Sequence, residues 1–237
     1  KLLKFIEDHH VGDSGIIYCM SRARVESTAK WLRQEGFKAL HYHAGLDKKQ
    51  RQENQDQFLK DEGIIMVATI AFGMGIDKPD VRFVAHLDLP KSLESYYQET
   101  GRAGRDGLKS NAWLAYGLED VAKISNFIEI SNAGEDQKRV ERQKLDALLG
   151  YCETTRCRRQ VLLEYFDEKL AEPCGYCDTC LEPMKCFDGT VATQKALSCV
   201  YRTGERFGAS YIIDVLLGNE SDRITQFGHD KITTYAI

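Results

Sequence analysis

The sequence predicts an α/β protein: a parallel-sheet lobe over residues 1–120, followed by a helical, cysteine-rich part. Three observations carry this. Five short apolar runs alternate with amphipathic segments as far as residue 120. The strand pattern stops near Glu119 and helical periodicity takes over. Seven of the eight cysteines then fall between Cys152 and Cys199. Continuous apolar strands separated by helices read as a parallel sheet covered on both faces.

The strands are expected at residues 16–19, 39–43, 64–69, 81–87 and 112–116. The run at 64–69, all apolar but its last residue and preceded by Gly63, is the strongest of them. Between the first two, Arg22 to Gln34 carries Val25, Ala29 and Leu32 at helical spacing, and Gly36 stops it. Asp47 with Gln50 three residues later fits a capping box for a helix to about Lys60. Pro90 breaks the chain, and Ser92 can cap the next helix. Residues 119–132 and 135–166 read as helices, the second interrupted near Thr154-Thr155. Residues 172–189 hold Pro173, Gly175, Pro183 and Gly189, and their apolar content is mostly cysteine, so something other than a core must order them. Helical pattern returns at 190–217. Tyr235-Ala236-Ile237 carries no stop signal, so a third domain is expected to continue past it.

Composition narrows the function classes. With 43% hydrophobic and 29% charged residues the chain is an ordinary globular mixture. No apolar run approaches the ~18 residues of a membrane span, and residues 1–10 lack an apolar signal-peptide core. Net charge is −4, so bulk charge does not point to a polyanion partner. Residues 1–120 hold 17 Lys+Arg against 18 Asp+Glu, and the rest 15 against 18.

The cysteine spacing Cys157-x16-Cys174-x2-Cys177-x2-Cys180 suits four thiolates around tetrahedral zinc. Disulfides are the bland alternative, disfavoured by the awkward loops that C-x2-C pairs close and by a reducing compartment. An iron–sulfur cluster is the second alternative. Cys152 and Cys186 compete as ligands, but a continuous helix would turn Cys152 well away from Cys157. Cys19, Cys152, Cys186 and Cys199 read as small apolar or semi-exposed residues. Arg156, Arg158 and Arg159 either contact phosphates or pair with local acids such as Glu153 and Glu164, and the acid excess favours pairing.

The most specific stretch is Gln98-Glu99-Thr100-Gly101-Arg102-Ala103-Gly104-Arg105-Asp106-Gly107. Two arginines three apart point the same way if the segment is helical, and planar guanidinium groups suit clamping a phosphate. The bland reading is a solvated turn bearing arginines. Upstream stand Ile17-Tyr18-Cys19-Met20-Ser21-Arg22, Tyr42-His43-Ala44-Gly45-Leu46 and Ala71-Phe72-Gly73-Met74-Gly75-Ile76-Asp77-Lys78-Pro79. In order and spacing these resemble the second motor lobe of superfamily 2 helicases, and in wording the RecQ DNA helicases, closest to bacterial members.

The resemblance implies a RecA-like lobe over 1–120, a helical zinc-binding subdomain over 121–189 and the beginning of a winged helix over 190–237. It implies Arg105 as arginine finger, Arg102 as its companion at the nucleotide phosphates, Gln98 in the same cleft, and Asp77 at the ribose or supporting its loop. It places Ser21, Arg22, His43 and Thr69 along a single-strand track; a satisfied strand-end histidine is the bland alternative for His43. It selects the same four zinc ligands. The implied activity is ATP- and Mg2+-dependent unwinding of duplex DNA, 3′ to 5′, in repair and recombination. The implied partners are DNA at single-strand/duplex junctions and single-strand-binding protein, with no membrane and a cytoplasmic, nucleoid-associated location. No G-x-x-x-x-G-K-[ST] string occurs in these residues, since Gly107-Leu108-Lys109-Ser110 lacks the required glycine. The chain is therefore expected to be a fragment that does not hydrolyse ATP alone. A non-catalytic, zinc-stabilised module binding nucleic acid or protein is the alternative from another class.

Overall fold

A computed structural model describes residues 1–69, 72 and 77–237. They form two compact units, Lys1–Leu181 and Glu182–Ile237. The two units meet at 181/182, just past the Cys180 turn.

In the first unit, β1 (Ser14–Tyr18), β2 (Ala39–Tyr42), β3 (Ile65–Ala68), β4 (Val81–His86) and β5 (Asn111–Leu114) build one sheet in the order β2-β3-β1-β4-β5. Every pairing is parallel. Alternate residues serve opposite faces, which is why the strands read as unbroken apolar runs. Ile17, Val67, Phe83 and Ala85 pack under α1 (Leu2–His9) and α2 (Arg22–Gln34), through Leu2, Ile6, Val25, Ala29 and Leu32. Ile16, Tyr18, Met66, Ala68 and Val84 face the other way, with Phe72 and with Phe58 of α3 (Lys48–Lys60).

Asp47 accepts a hydrogen bond from the Gln50 main chain at 2.9 Å, as the sequence implies. Ser21, not expected as a cap, accepts from the Arg24 main chain at 3.2 Å. Ser92 caps α4 (Leu93–Thr100). The helix α1 is not anticipated by the strand-and-helix pattern; its two buried residues give too short a period to read.

Gly15 faces Phe83 across the β1–β4 pairing, and a Cβ there would stand 2.1 Å from the ring. Gly15→Ala should therefore destabilise the lobe by about 1–3 kcal/mol through overpacking. A denaturant midpoint equal to the wild type's would contradict this packing.

A helical hairpin, α5 (Leu118–Ile130) and α6 (Glu135–Glu153), follows the sheet, and Thr154 ends it before α7 (Arg158–Tyr165). These helices pack on α4: Tyr96 and Leu93 meet Ile124, Leu145, Leu148 and Tyr151. Tyr165 donates to Glu94 at 2.9 Å, and Phe166 lies against Tyr97. The helix that leads into the arginine pair is thus held by the cysteine-bearing part of the same unit. A short helix, α8 (Asp178–Leu181), closes the unit.

The second unit contains α9 (Thr190–Arg202), α10 (Ala209–Leu217) and α11 (Asp222–Gln226), packed through Cys199, Tyr211, Ile212, Val215 and Ile224. Tyr211 shares a hydrogen bond with buried His229 at 2.7 Å. Among the described residues no helix is long and apolar enough to cross a membrane.

Candidate functional sites: a cysteine cluster and a two-ended lobe

The loop between α7 and α8 brings Cys174 and Cys177 to Cys157, the residue that caps α7, and Cys180 joins them from α8. Their four Sγ atoms lie within 4.8 Å of one another. Cys177 is 4.0 Å from Cys157 and 3.4 Å from Cys180. A tetrahedron with Zn–S bonds of ~2.3 Å has sulfur–sulfur edges of ~3.8 Å, between these two values. All four are free thiols, and sulfurs this close leave room for one ion rather than an iron–sulfur cube. The donor set therefore fits a single structural zinc. Gly175 turns the chain between ligands at φ 78°, a left-handed conformation that favours glycine. The Cys174 main-chain N–H donates to Cys157 Sγ at 3.3 Å.

Without a cation the thiols oppose one another. Burial would push the Cys177 thiol up, but hydrogen bonding with Thr179 and with the main chain at Arg158 and Cys180 holds it down to about 6. Cys180 goes up to about 12: the main-chain N–H of Gly175 resists this, and the crowding sulfurs of Cys177, Cys157 and Cys174 impose it. A divalent cation removes that conflict by stabilising every thiolate. Because protons compete with the ion for the four thiolates, zinc content should hold at neutral pH and decline on acidification. Metal analysis after dialysis at falling pH checks this, and content independent of acidification would contradict it.

Of the three arginines beside the cluster, Arg156 and Arg158 are paired. Arg156 bridges to Glu164 at 2.5 and 2.9 Å. Arg158 grips Asp178 with two nitrogens and donates to the Tyr151 carbonyl, tying α6, α7 and α8 together. Cys152 stands outside the cluster, its thiol pushed up to about 11 by burial. Cys186 is exposed.

Asp77 and Arg105 stand at the opposite end of the sheet from the candidate strand residues. Ser21, Arg22, His43 and Thr69 follow the carboxyl ends of β1, β2 and β3. Ser21 and Arg22 are exposed and Thr69 half-buried. His43 is 3% exposed; Nε2 meets Glu26 at 2.9 Å and Nδ1 accepts from the Gly45 N–H. Its ring thus shapes the turn beneath Arg22: a Cβ on Gly45 would touch both side chains, at 3.0 and 3.1 Å.

Asp77 and Arg105 lie at the other end, beside the start of β4, where the Gly104 N–H donates to the Val81 carbonyl. Arg105 Nη1 meets Asp77 Oδ1 at 2.8 Å, with side chains 38% and 84% exposed. A surface pair of this kind is worth about 0–1 kcal/mol, so it aims the guanidinium and leaves it accessible. The segment carrying the arginines is not helical. The helix α4 ends at Gly101, and Gly104 sits at φ 68° with no space for a side chain against Ser110. The two guanidinium groups consequently do not share a helix face: Arg102 is half-buried beside Tyr18, and Arg105 faces Asp77. Gln98 is exposed on α4. The glycine turn at Gly73 and Gly75 lies outside the described residues.

Sequence reasoning missed a cavity of about 660 Å³ at the carboxyl ends of β1 and β4. There the strand order reverses, the usual ligand position in open α/β sheets. Its walls come from Met20, Asp88, Leu89, Phe127 and Glu141, among others, too far apart in sequence to be seen together. Asp88 accepts from the Met20 N–H at 2.8 Å and from Arg24 at 2.5 Å.

Comparison with known proteins follows the same division. Residues 1–107 match the helicase conserved C-terminal domain, 118–181 the RecQ zinc-binding domain and 183–237 the RQC domain. The chain is 48% identical over 226 residues to the ATP-dependent DNA helicase RecQ of Haemophilus influenzae, covering 95% of the chain and 36% of that protein. It is 40% identical over 225 residues to that of Bacillus subtilis, covering 95% and 38%. The RecQ-like DNA helicase BLM of Xenopus laevis is 46% identical over 189 residues, 76% of the chain and 14% of that protein. The chain thus spans little more than a third of the two bacterial relatives. With the three domains matched in order along nearly its whole length, and the four cysteines gathered inside the second, the chain belongs to the RecQ family of helicases.

Proposed function

We propose that this chain forms the second motor lobe, the zinc-binding subdomain and the opening of the winged helix of an ATP-dependent DNA helicase that moves 3′ to 5′. The supporting observation is the division of the lobe: an accessible, aimed Arg105 at one end of the sheet and a row of exposed or half-buried polar groups at the other. In this reading ATP and Mg2+ occupy a cleft shared with a phosphate-loop lobe. Arg105 stabilises charge on the transferring phosphoryl group, Arg102 and Gln98 assist at the nucleotide, and Asp77 orients Arg105. Ser21, Arg22 and Thr69 meet strand phosphates, with His43 supporting that turn. Zinc, held by Cys157, Cys174, Cys177 and Cys180, orders the loop that follows α7, the helix whose end packs beside α4. Single-strand-binding protein is proposed to dock through the winged helix.

Comparing stimulation of ATP hydrolysis by DNA and by RNA, with this chain joined to a phosphate-loop lobe, tests the substrate class. Stimulation by DNA well above RNA is expected; the reverse order would assign the chain to RNA work.

A further inference from the structure

Asp77 and Arg105 stand on two different loops, and their exposed ion pair does not hold those loops together. Arg82 does. It lies on β4, and its side chain is 15% exposed. Its Nε donates to the Asp80 carbonyl and its Nη2 to the Pro79 carbonyl, both at 3.2 Å. Those carbonyls belong to the loop that begins at Asp77. Its Nη1 donates to the Lys109 carbonyl at 3.1 Å, and its Nη2 meets the Asp106 carboxylate at 2.6 Å. Those groups belong to the loop that carries Arg105. Asp106 in turn accepts from the Leu108 N–H at 3.0 Å, so the carboxylate shapes its own turn while holding Arg82. Only a guanidinium offers enough donors, in a rigid plane, to reach two loops at once.

We propose that Arg82 is a positioning residue for Arg105, clamping the Asp77 loop and the Arg105 loop in one fixed relation. It touches neither nucleotide nor DNA. Arg105 would then present its guanidinium in place, and a displacement of about 1 Å in such a group can cost ~10²-fold in rate. The proposal rests on the reading of Arg105 as the arginine acting on the transferring phosphoryl group.

Arg82→Lys keeps the charge and its reach to Asp106 but loses the fork. Joined to a phosphate-loop lobe, this variant should show kcat for ATP lowered by ~10–10²-fold, with KM for ATP and DNA affinity within about twofold of wild type. A purely structural role would move all three together with the melting temperature. Amide hydrogen exchange on the 237-residue chain supplies an independent readout: residues 77–80 and 101–110 should both exchange faster in Arg82→Lys, with β1 and β3 unchanged. Asp106→Asn carries the same two readouts if Arg82→Lys does not fold. Unchanged exchange at either loop overturns the clamp, as does unchanged kcat in an active wild type. A wild type without DNA-stimulated hydrolysis overturns the functional reading instead, and the exchange result still decides the clamp.

Discussion

Replacing Arg105 with alanine should lower ATP turnover by ~10³–10⁵-fold, the contribution of an arginine finger, once the chain is joined to a phosphate-loop lobe. Affinity for DNA should stay near wild type, because Arg105 and the strand residues occupy opposite ends of the sheet. In the proposed role its charge acts where negative charge spreads in the transition state, so the loss should fall on kcat more than on KM. Arg105→Lys should recover little, since an ammonium cannot reproduce the planar fork. Steady-state kinetics with parallel DNA titrations check this. Normal turnover in Arg105→Ala would remove Arg105 from the catalytic machinery.

The second large effect concerns metal. Residues 172–189 contribute almost nothing to the buried clusters; the sulfurs are what converge there. Structural zinc supplies ~10–16 kcal/mol of apparent binding free energy in small metal-ordered peptides, more than the whole stability of many domains. One zinc per chain is expected. Cys177→Ser should lose it and yield a protease-sensitive protein with weakened DNA binding. Cys186→Ser, altering an exposed thiol outside the cluster, should retain full metal content. If Cys186→Ser loses zinc and Cys177→Ser keeps it, the ligand set is wrong. Absence of zinc from the wild type purified without chelator would remove the metal site altogether.

Much of this was legible in the residues because the signals are local. Asp47 and Ser92 announce helix starts through side chains that reach only three residues ahead. Strands β1, β3 and β4 read as apolar runs because each packs on both faces. Cysteine spacing singles out the four sulfurs that converge because two lie on one short loop, a third lies on the helix that follows it and the fourth caps the helix before it. What stayed hidden is assembled from distant segments. Nothing in an arginine near the start of an apolar strand announces that Arg82 reaches Lys109, and the cavity at β1 and β4 needs α5 and α6 folded back over it. The arginine pair misled in a different way. Spacing of three suggests a helix face, but Gly104 adopts a left-handed turn, and tertiary contact with Val81 and Ser110 settles the conformation.

The most direct measurement is the rate of ATP hydrolysis, with and without single-stranded DNA, for a phosphate-loop lobe alone, for this chain alone and for the two joined. The account predicts a slow lobe, an inactive chain, and a joined protein that is fast and stimulated by DNA. A joined protein no faster than the isolated lobe, with zinc bound and the fold intact, would contradict it.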